Sequence, residues 1–186
     1  MTTDSAVNGT PETAAMVREI ASQKPCVAFT DSLMASAAYY VGSQANMIVA
    51  SPSATVGSIG VMIPWVDRSQ AYENEGLKVE VFKNSGAPYK GMGTPGTSLT
   101  AEQREQLQQR VDEIAATFKS DVQAGRNNRV KDGAMRGQVF MAAGAKNAGL
   151  IDEVGGRNLA LRSLISISRN QFSADALNSE PHRASC

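Results

Sequence analysis

The sequence predicts an α/β fold in which helices and short strands pack in layers. Two short apolar runs, PCVAFT at 25–30 and MIVAS at 47–51, are typical of buried strands. Stretches with apolar residues at helical spacing alternate with such runs along the chain, and this alternation is typical of layered α/β domains. There is no internal repeat, and 186 residues is the length of one domain, since domains average roughly 100–200 residues.

The first half of the chain is predicted to open with a flexible start and a helix. Residues 1–10, MTTDSAVNGT, are small and polar. Residues 11–23 predict a helix because Pro11 suits the first turn and apolar residues follow at helical spacing. The further elements predicted in this half are a strand at 25–30, an alanine-rich helix at 35–45, a strand at 47–51 and a short helix at 67–76 that ends at Gly76.

The second half contains the clearest helix of the chain. Residues 78–82, KVEVF, alternate like a strand. The loop at 83–99 has four glycines and two prolines, and loops longer than about 12–15 residues are usually functional or disordered. Thr100 and Gln103 then form a capping-box pattern. The elements predicted after it are a helix at 100–124, a polar connection at 125–137, a strand, short helix, glycine turn and strand at 138–155, a helix at 159–167 and a disordered polar tail at 169–186, with one domain over 11–168.

Charge balance, cysteine content and the lengths of the apolar runs indicate the partners and the compartment to expect. Lysine plus arginine equals aspartate plus glutamate, 18 against 18, so nothing favours a nucleic-acid partner. Cys26 is predicted to be a small core residue and Cys186 lies in the polar tail. The absence of a disulfide framework or CxxC spacing favours a reducing compartment. No apolar run approaches about 18 residues and no leader pattern opens the chain, so we expect a soluble protein.

A serine among small residues is the first candidate for chemistry. In MASAAYYVG, residues 34–42, Ser36 falls where a strand is predicted to run into a helix. The segment suits either tight helix packing or a nucleophile that a substrate backbone approaches closely. A nucleophilic serine needs a base, and the single histidine, His182, lies in the polar tail. A Ser-His-Asp triad and a histidine zinc site are therefore excluded, and lysine is the available base if burial lowers its pKa.

Lys90 is the best of the seven lysines for that role. It lies in GAPYKGMG, with no acidic residue between Glu80 and Glu102, so it can fold inward unpaired. The other lysines lie in polar surroundings or flank strands: Lys24, Lys78, Lys83, Lys119, Lys131 and Lys146.

Each feature also has an ordinary structural interpretation. A serine that begins a helix is most often a cap or a packing residue, and a lysine in a glycine-rich loop is usually solvated. GSIG, residues 57–60, is consistent with a turn that leads into a strand. Tyr39 and Tyr40 are most simply core or interface aromatics. Taken one at a time, these features leave both interpretations open.

Taken together, four segments resemble the signal peptide peptidase A family, which includes phage prohead proteases. The segments are ASAAYY at 35–40, IVASPSATVGSIGV at 48–61, SGAPYKGMGTPGTSLT at 85–100 and GQVFMAAGAKNAGLIDEVG at 137–155. They occur in that family's order and spacing, over about residues 10–165. The resemblance implies the family's fold, an α/β ClpP/crotonase-like layered β-β-α superhelix.

The resemblance also implies a mechanism. Ser36 is similar to the family's nucleophile, Lys90 to its general base, and Ser58 of GSIG to the residue that orients the lysine amine. The backbone N–H of Ala37 would stabilise the oxyanion. The implied activity is a serine endopeptidase that uses a Ser-Lys dyad and an acyl-enzyme to cleave signal-peptide-like, unfolded or capsid-scaffold segments. Small residues around Ser36 favour a modest apolar side chain in the substrate.

The implied setting is a homo-oligomer that acts on peptide or protein substrates without a metal or a cofactor. The helix at 100–124 and the closing helix are the candidate contact surfaces. We expect a cytoplasmic or phage-capsid-associated protein, with membrane association only through a segment outside this sequence.

The start of the chain departs from the family pattern. Members carry earlier strands and an Asp-Ser-Pro-Gly-Gly turn whose glycine N–H is the second oxyanion donor, whereas here Asp4-Ser5 runs into AVNG at 6–9. Losing one such donor typically costs about 10²–10³ in rate. Gly9 is an alternative donor. The departure keeps open a second interpretation, a catalytically weakened scaffold or interaction protein of the same fold. A crotonase-type acyl-CoA enzyme ranks below both, because no carboxylate base stands out.

Overall fold

A computed structural model describes residues 8–178, with side chains as far as Gln171. The chain forms two compact units. Unit 1 comprises the residues up to Gly60 and those from Thr117 onward, and unit 2 comprises Val61–Ala116. The segment predicted as one domain, 11–168, therefore contains two units, with unit 2 inserted between the two parts of unit 1 in the sequence.

The described strands of unit 1 form two three-stranded sheets. The strands are β1 (Val27–Thr30), β2 (Leu33–Ala35), β3 (Met47–Ala50), β4 (Thr55–Gly57), β5 (Val139–Met141) and β6 (Glu153–Val154). The first sheet has the order β1-β3-β6 and is parallel throughout. The second has the order β2-β4-β5, with β2 and β4 parallel and β5 antiparallel to β4. The chain thus passes twice from the first sheet to the second, and the predicted α/β class is confirmed.

Helices connect these strands and begin close to the predicted positions. They are α1 (Thr10–Gln23), α2 (Ala37–Gly42), α3 (Ser69–Asn74), α4 (Ala101–Gly125), α5 (Ala142–Asn147) and α6 (Arg157–Asn178), with a 3₁₀ turn at Asp132–Ala134. Pro11 lies in the first turn of α1, as predicted. The closing helix is longer than predicted and runs ten residues into the expected tail. Residues 179–186, with His182 and Cys186, and residues 1–7 of the expected flexible start lie outside the described part.

Unit 2 contains α3 and the first part of α4, joined by irregular chain. The strand predicted at 78–82 is wrong, because no strand forms between Val61 and Ala116 and a single extended segment has no partner for its backbone hydrogen bonds. The predicted capping box is confirmed. The N–H of Thr100 donates to Gln103 Oε1 at 3.1 Å, and the N–H of Gln103 donates to Thr100 Oγ1 at 3.2 Å.

The core of unit 1 combines apolar strand residues with a buried ion pair. Arg126, at 1% exposure, places Nη2 2.8 Å from Asp152 Oδ1. Arg129 Nη1 lies 2.9 Å from the same oxygen, and Asp152 Oδ2 accepts the N–H of Ile48 at 2.7 Å. The pair therefore joins the end of α4 to β3. Cys26 is half-buried and free, which corrects its prediction as a core residue.

Candidate active site

Ser36 occupies a strained turn between a strand and a helix. It follows β2, precedes α2, and has φ 52° and ψ −124°. A non-glycine residue with positive φ is uncommon, costs about 1–3 kcal/mol and persists only where its surroundings hold it. The side chain makes no helix-capping hydrogen bond, so the capping interpretation is excluded. A sharp strand-to-helix turn of this kind presents a nucleophilic hydroxyl in hydrolases.

Ser58 stands beside Ser36 at the same edge of the second sheet. Ala35 and Gly57 are paired residues of the parallel strands β2 and β4, and the two serines directly follow them. The N–H of Ser36 donates to the Gly57 carbonyl at 2.9 Å. Ser58 also has a positive φ, 55°, and its N–H donates to the Gln138 carbonyl at 2.8 Å. The structure therefore places the backbones of two of the three residues predicted to be catalytic at the ends of neighbouring strands.

Lys90 lies in unit 2, and its pairing with Ser36 stays a prediction. Its side chain is exposed, so the inward fold that the sequence allows is not adopted here. The loop before it is held at Pro88, whose carbonyl accepts Lys83 Nζ at 2.6 Å and Gln103 Nε2 at 3.0 Å. Tyr89 donates its hydroxyl to Glu102 at 2.9 Å, which raises the pKa of the tyrosine. A base role for Lys90 requires that substrate or protein cover the amine, because desolvation is what lowers a lysine pKa.

An open groove of about 540 Å³ is lined in part by Ala37, the residue that follows Ser36. Its lining residues are Asn8, Gly9, Thr10 and Thr13 at the start of α1, and Ala37, Ala38 and Val41 of α2. The N–H of Ala37 belongs to the first turn of α2, where backbone donors have no partner inside the helix. Gly9 precedes α1 with φ 82°. The groove therefore faces two segments from which backbone donors can point at a substrate.

The tyrosines after Ser36 are buried, as predicted, but both also use their hydroxyls. Tyr39 is 0% exposed and donates to the Leu150 carbonyl at 2.8 Å, and Tyr40 is 4% exposed and donates to the Asp121 carboxylate. Sequence reasoning missed these contacts. The sequence did offer one indication of these hydrogen bonds. Two tyrosines, which carry hydroxyls, stand after small residues where phenylalanines would fill a core equally well.

Two possible features are absent from the described residues. None of the helices in the described part combines the length and the hydropathy that crossing a lipid bilayer requires. No group of three His, Cys, Asp or Glu side chains in the described part is placed to hold a metal ion.

Comparison with known proteins identifies the family of this chain. Residues 18–168 match Peptidase family S49, and the chain belongs to that family. The predicted resemblance to the signal peptide peptidase A family is confirmed by the match and by the relatives below.

The relatives include cellular and phage proteins. A putative protease, MJ0651, of Methanocaldococcus jannaschii is 33% identical over 153 residues, 81% of this chain and 49% of the relative. A putative signal peptide peptidase SppA of Enterococcus faecium is 32% identical over 163 residues, 84% of this chain and 46% of the relative. Capsid assembly protease C of Escherichia phage lambda is 28% identical over 149 residues, which are 80% of this chain and 34% of the relative.

The chain spans about half the length, or less, of these curated relatives. Among solved structures, an enoyl-CoA hydratase from Thermoplasma volcanium GSS1 matches with a TM-score of 0.44 and 18% identity, over 95% of this chain and 54% of that one.

Proposed function

We propose that the chain is a serine endopeptidase in which Ser36 is the nucleophile, Lys90 the general base and Ser58 the residue that orients the lysine amine. The observation that carries the proposal is the backbone of Ser36, a strained strand-to-helix turn with no capping role. Family membership supports the same activity. The shared sheet edge of Ser36 and Ser58 supports their joint role.

In the proposed reaction, the neutral amine of Lys90 accepts the hydroxyl proton of Ser36. The serine Oγ forms a bond to the substrate carbonyl carbon, and the carbonyl oxygen becomes an oxyanion. Collapse of this intermediate breaks the C–N bond, and Lys90 gives its proton to the leaving amine. Lys90 then takes a proton from water as the water oxygen attacks the acyl-enzyme carbonyl. Collapse of this second intermediate breaks the ester C–O bond and releases the carboxylic acid, and Lys90 returns the proton to the Ser36 oxygen.

The oxyanion needs donors that are already in place. The N–H of Ala37 is one, at the start of α2, where the helix dipole adds favourable potential. We assign the second to the N–H of Gly9, because Gly9 and Ala37 line the same groove.

The substrates that fit this site are extended peptides with a modest apolar side chain. Glycine, alanine, threonine and valine dominate the groove beside Ser36, which favours such a side chain. Relatives named signal peptide peptidase and capsid assembly protease support signal-peptide-like, unfolded or capsid-scaffold segments as substrates. We further propose a homo-oligomer, which would supply cover for the exposed Lys90, in a cytoplasmic or capsid-associated setting.

The test is a pH–rate profile for hydrolysis of an activated acyl ester by wild type, Ser36→Ala and Lys90→Ala. The matched controls are Ser120→Ala and Lys119→Ala, which remove an exposed hydroxyl and an exposed amine from α4. We expect the controls to retain wild-type activity and both site variants to lose at least about 10³-fold. The wild-type rate should rise through a lysine pKa on the alkaline side. Equal rates for wild type and the site variants would overturn the proposal.

A second function, a scaffold or interaction protein of the same fold, is favoured by the exposure of Lys90. A fluorophosphonate probe separates the two functions. Labelling at Ser36 in folded protein supports the peptidase, and absence of labelling supports the scaffold.

A further inference from the structure

We propose that the hydroxyls of Tyr39 and Tyr40 are positioning groups that lock α2, and through it hold Ser36 and the Ala37 N–H in the geometry of attack. The inference rests on the proposed function, and it assigns to the tyrosines a role beyond filling the core.

The strained backbone at Ser36 has to be held from both sides. On the strand side, β2 pairs with β4 and the Ser36 N–H donates to Gly57. On the helix side, α2 has only six residues. A helix this short is far below the roughly 12–15 residues at which isolated helices become marginally stable. Tertiary contacts must therefore fix α2, and those contacts carry the Ser36 geometry.

Tyr39 supplies the first contact. Its hydroxyl, fully buried, donates to the carbonyl of Leu150 at 2.8 Å. Leu150 is itself buried and follows α5. Burial raises the pKa of Tyr39, so the group stays a neutral donor. This bond ties α2 to the segment between α5 and β6.

Tyr40 supplies the second contact, on another side of α2. Its ring stacks on Phe118 with centroids 4.4 Å apart and an interplanar angle of 9°. Its hydroxyl donates to Asp121, whose other oxygen lies 3.1 Å from Arg18 Nη2. Burial, followed by the bond to Asp121, raises the pKa of Tyr40. Arg18 also donates from Nε to Gln44 at 2.8 Å, so the network joins α1, α2 and α4.

The two contacts together fix the orientation of α2. Consecutive helical residues point about 100° apart, because a turn has 3.6 residues. Tyr39 and Tyr40 therefore hold α2 in two directions, which restrains its rotation as well as its translation. Phenylalanine would fill the same space, but the Leu150 carbonyl would lose the hydrogen bond from Tyr39. The Asp121 carboxylate would lose the hydrogen bond from Tyr40 and keep the one from Arg18. The hydroxyls, not the rings, are the positioning groups.

The test compares Tyr39→Phe, Tyr40→Phe and the double variant with two controls. Tyr72→Phe removes a hydroxyl in unit 2, on α3. Val130→Ala, at a buried position after α4, lowers stability while leaving both hydroxyls in place. For each protein we would measure kcat and KM with the acyl ester, and the rate constant for fluorophosphonate labelling of Ser36. Melting temperature is followed by circular dichroism.

We expect each Tyr→Phe variant to lose about tenfold in kcat and in labelling rate, with KM within about twofold, and the double variant to lose more. Tyr72→Phe and Val130→Ala should keep wild-type kcat. If the melting temperatures of the Tyr→Phe variants fall but their kcat values stay at the wild-type level, as expected for Val130→Ala, the hydroxyls are merely structural and the proposal is overturned.

Hydrogen exchange keeps the inference testable if the wild type itself is inactive. An inactive wild type would contradict the proposed function but would not test the positioning role of the two hydroxyls. Positioning would then be judged by amide exchange at Ser36 and at residue 40, whose N–H groups donate to the Gly57 and Ser36 carbonyls at 2.9 Å. Exchange at these two amides should be at least about tenfold faster in both Tyr→Phe variants than in wild type, and exchange at 27–30, in β1, should be unchanged. Unchanged exchange at Ser36 and at residue 40 would overturn the inference whatever the activity.

Discussion

Gly57 provides the backbone carbonyl that accepts the N–H of Ser36. It has φ 125°, and a Cβ added there would lie 2.8 Å from the Gln138 carbonyl oxygen. Both facts favour glycine, since an L side chain at this φ is strained and has no room. Its carbonyl accepts the Ser36 N–H, so a shift at Gly57 is passed on to Ser36, the proposed nucleophile.

We therefore expect Gly57→Ala to lower the free energy of unfolding by about 1–3 kcal/mol, the usual cost of strain at such a site. It should also lower ester hydrolysis more than tenfold. Gly133→Ala is the control, because an added Cβ at Gly133 meets open space. Urea denaturation and the ester assay measure the two effects. Equal behaviour of the two variants would contradict the assignment.

At this scale the sequence shows which residues are candidates but not their conformation. Ser36 stands out because its neighbours are small, yet its positive φ is set by the pairing of β2 with β4, which lie about twenty residues apart. The partners of Tyr39 and Tyr40 are more than 80 residues away in sequence. The absence of an acidic residue near Lys90 in sequence shows that the lysine can fold inward, but whether it does depends on contacts that sequence spacing does not determine.

At the scale of elements, the capping box of α4 is a local signal that the structure confirms. Thr100 and Gln103 each satisfy the other's backbone N–H, which removes two of the unpaired donors at a helix start. Thr100→Ala should destabilise the protein by about 1 kcal/mol. Ser120→Ala, on an exposed face of the same helix, should have no measurable effect. Urea midpoints provide the comparison, and equal midpoints would show that the cap does not stabilise α4.

Elements that depend on distant partners were predicted less well. The strand at 78–82 was predicted from its alternation alone, but a strand also needs a neighbour, and unit 2 provides none. The helix predicted at 35–45 begins only at Ala37, because Ser36 is held by Gly57. In contrast, β1, β3, α1 and α4 are encoded by their own apolar spacing and caps, and they form where predicted.

At the scale of the whole molecule, the buried Arg126–Asp152 pair holds the two sequence parts of unit 1 together. Arg126 and Asp152 belong to the second part, and Ile48, whose N–H donates to Asp152, belongs to the first. No short-range pattern could predict this, because the aspartate lies 104 residues from its backbone donor. Removing the carboxylate leaves the Arg126 charge buried with only a neutral partner. Loss of one member of a buried pair typically costs about 3–5 kcal/mol.

Asp152→Asn should therefore lower the free energy of unfolding of unit 1 by about 3–5 kcal/mol at pH 7. Burial opposes ionisation of Asp152, but the hydrogen bond and charge of Arg126, the Ile48 N–H and Arg129 together lower its pKa below 3.8. Because the folded-state pKa is the lower one, the stabilisation is complete above the ordinary pKa and is lost as pH falls through the folded-state value. The difference in the free energy of unfolding between wild type and Asp152→Asn should therefore become smaller as the pH is lowered into the acid range.

The matched control is Glu153→Gln, one residue further along. Its carboxylate pairs with Lys146 at 2.7 Å, but both side chains are about half exposed, and exposed pairs contribute roughly 0–1 kcal/mol. Urea denaturation followed by far-ultraviolet circular dichroism measures the loss at pH 7 and in acid. Fluorescence of Trp65, the single tryptophan of the chain, reports on unit 2 in the same experiment. If Asp152→Asn is as mild as Glu153→Gln at pH 7, the ion pair does not stabilise unit 1.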